Sequence, residues 1–270
     1  MSHSLTPPVA LTIAGSDSGG GAGIQADLRT FAFHKVHGAS ALTCVTAQNT
    51  CGVTRVDALP PAAVLAQIDA VVSDLDVKSA KLGMLLNADI MRAVAQSMSS
   101  APVDTWVVDP VMVSRTGAQL IDEAAIATLR DALIPLATVL TPNRYEAQLL
   151  SGLEITTLAD MEAAAAKIHA LGAQAVLVKG GGMSGEARAV DVWFDGKERL
   201  TLKADVVDTT DTHGTGCTLS AAIAANLALG HDTLAAVRQA KAYVTQALHY
   251  SLRIGKGQGP VGHFYPLLNG

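Results

Sequence analysis

Apolar and polar positions along this chain follow two rhythms. Short stretches such as "LTIAG" and "TWVVDPV" are apolar almost without interruption, which fits strands buried on both faces, as in a parallel sheet. Longer stretches repeat apolar residues at i, i+3 and i+4, the spacing of one helix face. The first rhythm predicts strands over Ala10–Ser16, Ser40–Gln48, Ala80–Leu85, Thr105–Val111, Thr138–Thr141 and Ala175–Lys179. The second predicts helices over Ala62–Leu75, Ala88–Ser99, Glu123–Leu136 and Leu158–Leu171, with another beginning directly after the glycines of residues 19–23. Residues 189–205 alternate at period two around Asp195-Gly196, the pattern of a β-hairpin at a sheet edge. Helices over Gly216–Leu229 and Thr233–Leu252 follow. Strands alternating with helices predict a three-layer α/β fold, with a mostly parallel central sheet, helices on both faces and right-handed crossovers. No repeat, linker or composition break interrupts residues 1–270, so the pattern predicts one domain with a flexible start over residues 1–8.

Composition sharpens that picture in a few places. Hydrophobic residues make up 49% and charged residues 16%, which suits a large core. The net charge of −5 comes without a basic cluster, so a nucleic-acid partner is not expected. The cysteines, Cys44, Cys51 and Cys217, are odd in number and lack C-x-x-C spacing, which argues against a disulfide framework or zinc site and fits a reducing cytoplasm. "MSHSLTPP" has neither the basic region nor the apolar stretch of a secretory signal. Residues 214–230 carry no charge, but polar residues interrupt a run already short for a bilayer, so a buried core helix is expected.

In open α/β sheets, ligands sit beyond the C-terminal ends of the strands. The predicted strands end in "GSD", "AQNT", "LGM", "DPVM", "TPN" and "KGG", so candidate chemistry should converge there. "DTHGTGC" runs straight into an apolar helix. Gly214 and Gly216 let successive N–H groups point one way, and the helix dipole adds to their field, which suits an oxyanion or phosphoryl group. Cys217 falls in the first turn, where the dipole favours a thiolate. The bland alternative is a helix start capped by Thr212 or Thr215, with Cys217 in the core. Gly21 to Ala26 fits G-x-G-x-x-A, but no acid follows at the end of the second strand, so a nicotinamide enzyme is not expected. Asp17 is either a turn residue or a site carboxylate, and Asp27 either a first-turn residue or a site carboxylate. Asp109 ends a strand as a ligand, base or metal contact, or as a turn residue before Pro110. Asn143 and Glu146 have capping-box spacing, and Glu146 could equally face a magnesium-bound water. Lys179 either reaches a nucleotide phosphate or snorkels to solvent. Gln48 could read a heterocycle through paired donor and acceptor, or belong to a turn. His213 is the one histidine inside a motif and could serve Cys217 as base in a hydrolase or acyl transferase.

Together, "AGSDSGGGAGIQADLRTF", "TAQNTCGV", "KLGML", "VDPVMVSRTG", "LTPNRYEAQLL", "VLVKGG", "THGTGCTLSAAIAA" and "IGKGQGPVGHF" resemble the ribokinase-type family, and within it the hydroxymethylpyrimidine and hydroxymethylpyrimidine phosphate kinases of thiamine biosynthesis. The resemblance implies a ribokinase-like fold and ATP- and magnesium-dependent phosphorylation of a pyrimidine alcohol, then of its monophosphate. It implies that Gly214, Thr215, Gly216 and Cys217 form the anion hole, with Cys217 beside the attacking oxygen. It gives Gln48, Asp27, Gly15, Ala22 and Met84 to the acceptor, Lys179, Thr212 and Lys241 to the nucleotide, and Asp109 and Glu146 to Mg2+. It also implies a cytoplasmic homodimer without membrane association. A pyridoxal kinase of the same fold is the competing expectation. Most relatives carry Asp where this chain has Cys217. Arg115-Thr116-Gly117 stands where Lys-Ser-Gly is the family pattern, and "KGGGM" lacks the histidine that often follows the two glycines.

Overall fold

The computed structural model describes residues 6–112 and 121–268. Part of the expected flexible start, residues 1–5, and Arg115-Thr116-Gly117 lie outside the described residues. Among the described residues, nine strands form one sheet in the order β3-β2-β1-β4-β5-β6-β7-β8-β9. These are β1 (Val9–Asp17), β2 (His37–Asn49), β3 (Gly52–Ala58), β4 (Val77–Leu82), β5 (Thr105–Val108), β6 (Val139–Leu140), β7 (Val176–Val178), β8 (Val190–Phe194) and β9 (Arg199–Lys203). From β2 to β7 the neighbours run parallel, while β3 at one edge and β8–β9 at the other are antiparallel. The expected three-layer, mostly parallel fold with an edge hairpin is therefore the one observed.

The helices are α1 (Gly23–Phe33), α2 (Pro61–Val72), α3 (Ala88–Met98), α4 (Glu123–Thr128), α5 (Arg144–Ser151), α6 (Leu158–His169), α7 (Thr215–Ala228) and α8 (Thr233–His249). They divide between two cores. One sheet face meets α2 to α6 through residues such as Ile68, Ile90, Ala125, Ala147 and Ile168. The other meets α1, α7 and α8 through Phe31, Ile223, Ala224 and Val237. The uncharged run is α7, whose residues from Thr218 to Ala228 are all buried, so it is a core helix as expected. Among the described residues, no helix is long and apolar enough to cross a membrane.

Several strand and helix bounds come out shorter than expected, the strand over Thr105–Val111 ending at Val108 among them, and three larger shifts have a physical reason. β3 was not anticipated, because every residue of "GVTRVDA" is exposed and no buried face marks it. β4 begins and ends three residues before its predicted bounds: Lys78, Ser79 and Lys81 interrupt its apolar pattern. The helix expected over Glu123–Leu136 breaks into α4, a wide π-type turn over Leu129–Leu133 and a 3-10 turn over Ile134–Leu136. Pro135 has no N–H to continue an α-helical ladder there.

The parallel connections leave β1 in opposite directions, to β2 on one side and to β4 on the other. That reversal is a topological switch point, where the C-terminal ends of the strands open a crevice.

Candidate active site

The crevice is built from strand ends held in register. Gly83 N–H donates to Ile13, Asp109 to Leu82, Thr141 to Val108 and Lys179 to Pro142, all through backbone carbonyls at 2.9 or 3.0 Å. The ladder thus continues one residue past each strand and fixes the side chains that follow.

On one side the first glycine loop folds around Asp17. Its Oδ1 accepts the N–H of Gly19 at 2.8 Å, and its Oδ2 accepts those of Gly21 and Ala22 at 3.0 and 2.8 Å. His213 Nε2 lies 2.8 Å from the same Oδ2. Asp17 is therefore the turn residue of its two readings, and it also ties this loop to the "HGTGC" turn. Burial alone would raise its pKa, but His213 and the backbone donors outweigh that and lower it.

Asp27 is not free to meet a ligand. It and Lys81 are both 0% exposed and pair at 2.8 Å beneath the crevice floor, with Thr12 Oγ1 donating to Asp27 at 2.6 Å. Burial disfavours the Lys81 ammonium, yet the Asp27 carboxylate outweighs it and raises the lysine pKa. Gly15 backs onto Cys44 Sγ and Met84 Cε, both within 3 Å of where a side chain would begin. Gln48 is half-buried at the end of β2, its amide 3.4 Å from His213 Nε2.

On the other side, α7 begins with Gly214 in the left-handed region (φ 81°) and no side-chain cap. A Cβ at Gly214 would lie 1.8 Å from the Gly21 carbonyl, so the two glycine loops pack backbone to backbone. At Gly216 a Cβ would point at Lys179 Nζ (3.4 Å) and Asp109 Oδ2 (3.7 Å), so the helix N-terminus faces this ion pair. Of the bland caps, Thr215 Oγ1 donates to the Thr212 carbonyl at 2.7 Å, and no side chain accepts from the open N–H groups of α7. The Thr212 hydroxyl is buried with no hydrogen-bond partner.

Cys217 is half-buried, and burial pushes its thiol pKa up, with Asp27 and Asp109 adding to the shift. Lys81 and the Gly23 N–H oppose it without prevailing. Burial thus works against the thiolate that the helix dipole favours. The hydrolase alternative fails on placement, because His213 turns to Asp17 and Gln48 and has no hydrogen bond to Cys217.

Asp109 and Glu146 share the polar end. Lys179 Nζ pairs with Asp109 Oδ1 at 2.8 Å, and Thr141 Oγ1 donates to the same oxygen at 3.2 Å. Burial raises the Asp109 pKa, but Lys179 outweighs it and the net shift is downward. Glu146 completes the capping box with Asn143, so the structural reading of that spacing holds. Burial, reinforced by nearby Asp109, pushes its carboxyl up to about 8. Lys241 sits outside this cluster. Its Nζ lies 2.6 Å from Asp191 Oδ2 and 3.1 Å from the Ala189 carbonyl, and Asp191 in turn accepts the Gly180 N–H. It thereby braces the glycine turn behind Lys179. Sequence reasoning missed Lys81, because a lysine inside an apolar strand carries no motif of its own.

A phosphomethylpyrimidine kinase family model matches residues 17–262. A hydroxymethylpyrimidine/phosphomethylpyrimidine kinase of Synechococcus elongatus is 65% identical over 97% of this chain and 100% of its own length. The crystal structure of an ADP complex of Bacillus subtilis pyridoxal kinase superposes with a TM-score of 0.92 at 41% identity, covering 98% of this chain and 100% of that one. That of a phosphomethylpyrimidine kinase from Clostridium difficile gives 0.81 at 40% identity, over 89% and 99%.

Proposed function

The chain belongs to the phosphomethylpyrimidine kinase family, and from that premise we propose that it transfers the γ-phosphoryl group of ATP to a hydroxymethylpyrimidine and then to the resulting monophosphate. The observation that carries this reading is the uncapped α7 N-terminus facing Lys179 and Asp109, across the crevice from Gln48, Met84 and Gly15. One wall suits an anion and the other a flat ring. The unpartnered Thr212 hydroxyl supports a polar ligand on the anion side.

Phosphoryl transfer passes through a loose transition state and needs positioning and charge stabilisation more than covalent help. In this reading the amides of Gly214, Thr215, Gly216 and Cys217 stabilise charge on the transferring group. Lys179 adds a buried positive charge, Thr212 contacts the nucleotide and Lys241 holds the Lys179 turn in place. Gln48 reads the ring, while Gly15, Ala22 and Met84 line its pocket. Asp27 serves the acceptor wall from below, through Lys81.

Asp109 and Glu146 are hard oxygen donors, and among the described residues no group of three or more His, Cys, Asp or Glu could hold a metal ion. Asp109 and, once its raised carboxyl gives up its proton, Glu146 suit Mg2+, which commonly takes its remaining ligands from phosphate and water. When bound there, magnesium would neutralise charge developing on the phosphates. A neutral Cys217 thiol fits the second transfer. A carboxylate in its place would cost about 1–4 kcal/mol against each phosphate charge at 4 Å.

The continuous sheet supports one catalytic domain, and the free cysteines support a cytoplasmic setting. Exposed Val45, Val53 and Val56 on the β2–β3 ribbon support a homodimer. Pyridoxal remains a second acceptor to test, since a pyridoxal kinase shares the fold at 41% identity. ADP release with the pyrimidine alcohol, its monophosphate and pyridoxal, each with and without magnesium, tests the reading. Magnesium-dependent release with both pyrimidines is expected, and none with either would overturn it.

A further inference from the structure

Gln48 stands where the ladder from β1 has ended. The last pair between β1 and β2 is Asp17 with Thr46. Beyond it the chain turns at Asp17, whose carbonyl accepts the Gly20 N–H at 2.9 Å. On the other side, the register with β3 slips between Ala47–Arg55 and Gln48–Val53, which leaves Thr54 as an extra residue in a bulge. The Ser18 side chain takes over from the lost strand. Its hydroxyl donates to the Gln48 carbonyl at 2.8 Å and accepts the Gln48 N–H at 2.8 Å. One proton and one lone pair serve the two bonds, so both form together. They flank the Gln48 Cα and fix the direction in which its side chain leaves the strand. Ser18 is itself held, because Asp17 reaches across it to accept the Gly19 N–H at 2.8 Å. A Cβ at Gly19 would lie 3.2 Å from the Gln48 carbonyl oxygen and 3.3 Å from Asn49 Cα, so loop and strand end are in contact. Ser18 is exposed, so its bonds compete with water and add little to folding.

We propose that Ser18 is a positioning residue for acceptor recognition, aiming Gln48 at the ring from the first glycine loop. This rests on the kinase reading above. The loop sets the selectivity of the crevice through the backbone of a strand residue 30 positions away. Without the hydroxyl the bulged strand end shifts and Gln48 loses its fixed aim, while the nucleotide wall is untouched.

The test is the steady-state kinetics of Ser18→Ala, Ser18→Thr, Gln48→Ala and Ser18→Ala combined with Gln48→Ala, varying the pyrimidine alcohol and ATP in turn. Ser18→Ala should raise KM for the alcohol about five- to tenfold, with kcat and KM for ATP within about twofold of wild type. Ser18→Thr keeps the hydroxyl and should hold KM for the alcohol within about threefold of wild type. The combined variant should lose no more kcat/KM than Gln48→Ala alone, because Ser18 acts only through Gln48. An unchanged KM for the alcohol in Ser18→Ala, a KM for ATP that rises equally, a threonine variant as impaired as the alanine one, or penalties that multiply in the combined variant would each overturn the role. Wild-type protein that turns over no pyrimidine defeats the kinase reading itself, whereas wild-type turnover with any of those four results defeats only the role of Ser18.

Discussion

The Asp27–Lys81 pair changes what a substitution at Asp27 should do. As an open acceptor-side carboxylate, Asp27 would affect pyrimidine use alone. As a fully buried partner of Lys81, its removal strands a positive charge in the core. Breaking such a pair costs about 3–5 kcal/mol, far more than an exposed pair contributes. Urea unfolding of Asp27→Ala should therefore show a stability loss of about that size, largely recovered by Asp27→Ala with Lys81→Met. An Asp27→Ala protein of unchanged stability that merely binds pyrimidine poorly would restore the simpler role. Cys217 shows the same logic of neighbours: its helix position favours a thiolate, but burial near Asp27 and Asp109 pushes the thiol pKa up.

At the scale of elements, the C-terminal segment stabilises the crevice from outside. Buried His263 lies 2.9 Å from Thr218 Oγ1, in the first turn of α7, and its carbonyl accepts the Tyr243 hydroxyl of α8 at 2.7 Å. Burial, with Arg29 adding to it, lowers the His263 pKa to about 4. The unfolded chain takes up this proton near pH 6.5 and the folded chain only near pH 4, so stability falls as pH drops through that window. The loss approaches about 3 kcal/mol below it. Melting temperatures of wild type and His263→Gln should diverge most near neutral pH and converge toward pH 4; parallel curves would contradict the assignment. The "GKGQGPVGHF" tail was conspicuous in the sequence, but its work was not, because it lies in long-range contacts to His213 and Thr218. Elements buried on a face, such as β1, β2 and α7, were legible from periodicity. β3 was not, since an edge strand exposed on both sides leaves no apolar imprint. In the site, the glycine turns and Asp109 were legible because backbone geometry and strand ends leave local signatures. The pairing of Asp17 with His213 spans 196 residues and leaves none.

Across the whole molecule, the reversal of strand order at β1 brings residues from six strand ends and the α7 N-terminus to one crevice. Its floor carries a paired charge, one wall carries helix amides and a lysine, and the opposite wall carries a single amide beside small and apolar residues. Cys217 stands in the first turn of α7. In the proposed reading, such an arrangement tolerates an incoming oxygen that is either a hydroxyl or part of a phosphate monoester, so one crevice would perform both transfers in succession. The stoichiometry of ADP release against a limiting amount of pyrimidine alcohol, with excess magnesium ATP, tests that claim most directly. Wild type should release two ADP per alcohol, and Cys217→Asp should stall near one. Wild-type release that stops at one would contradict it.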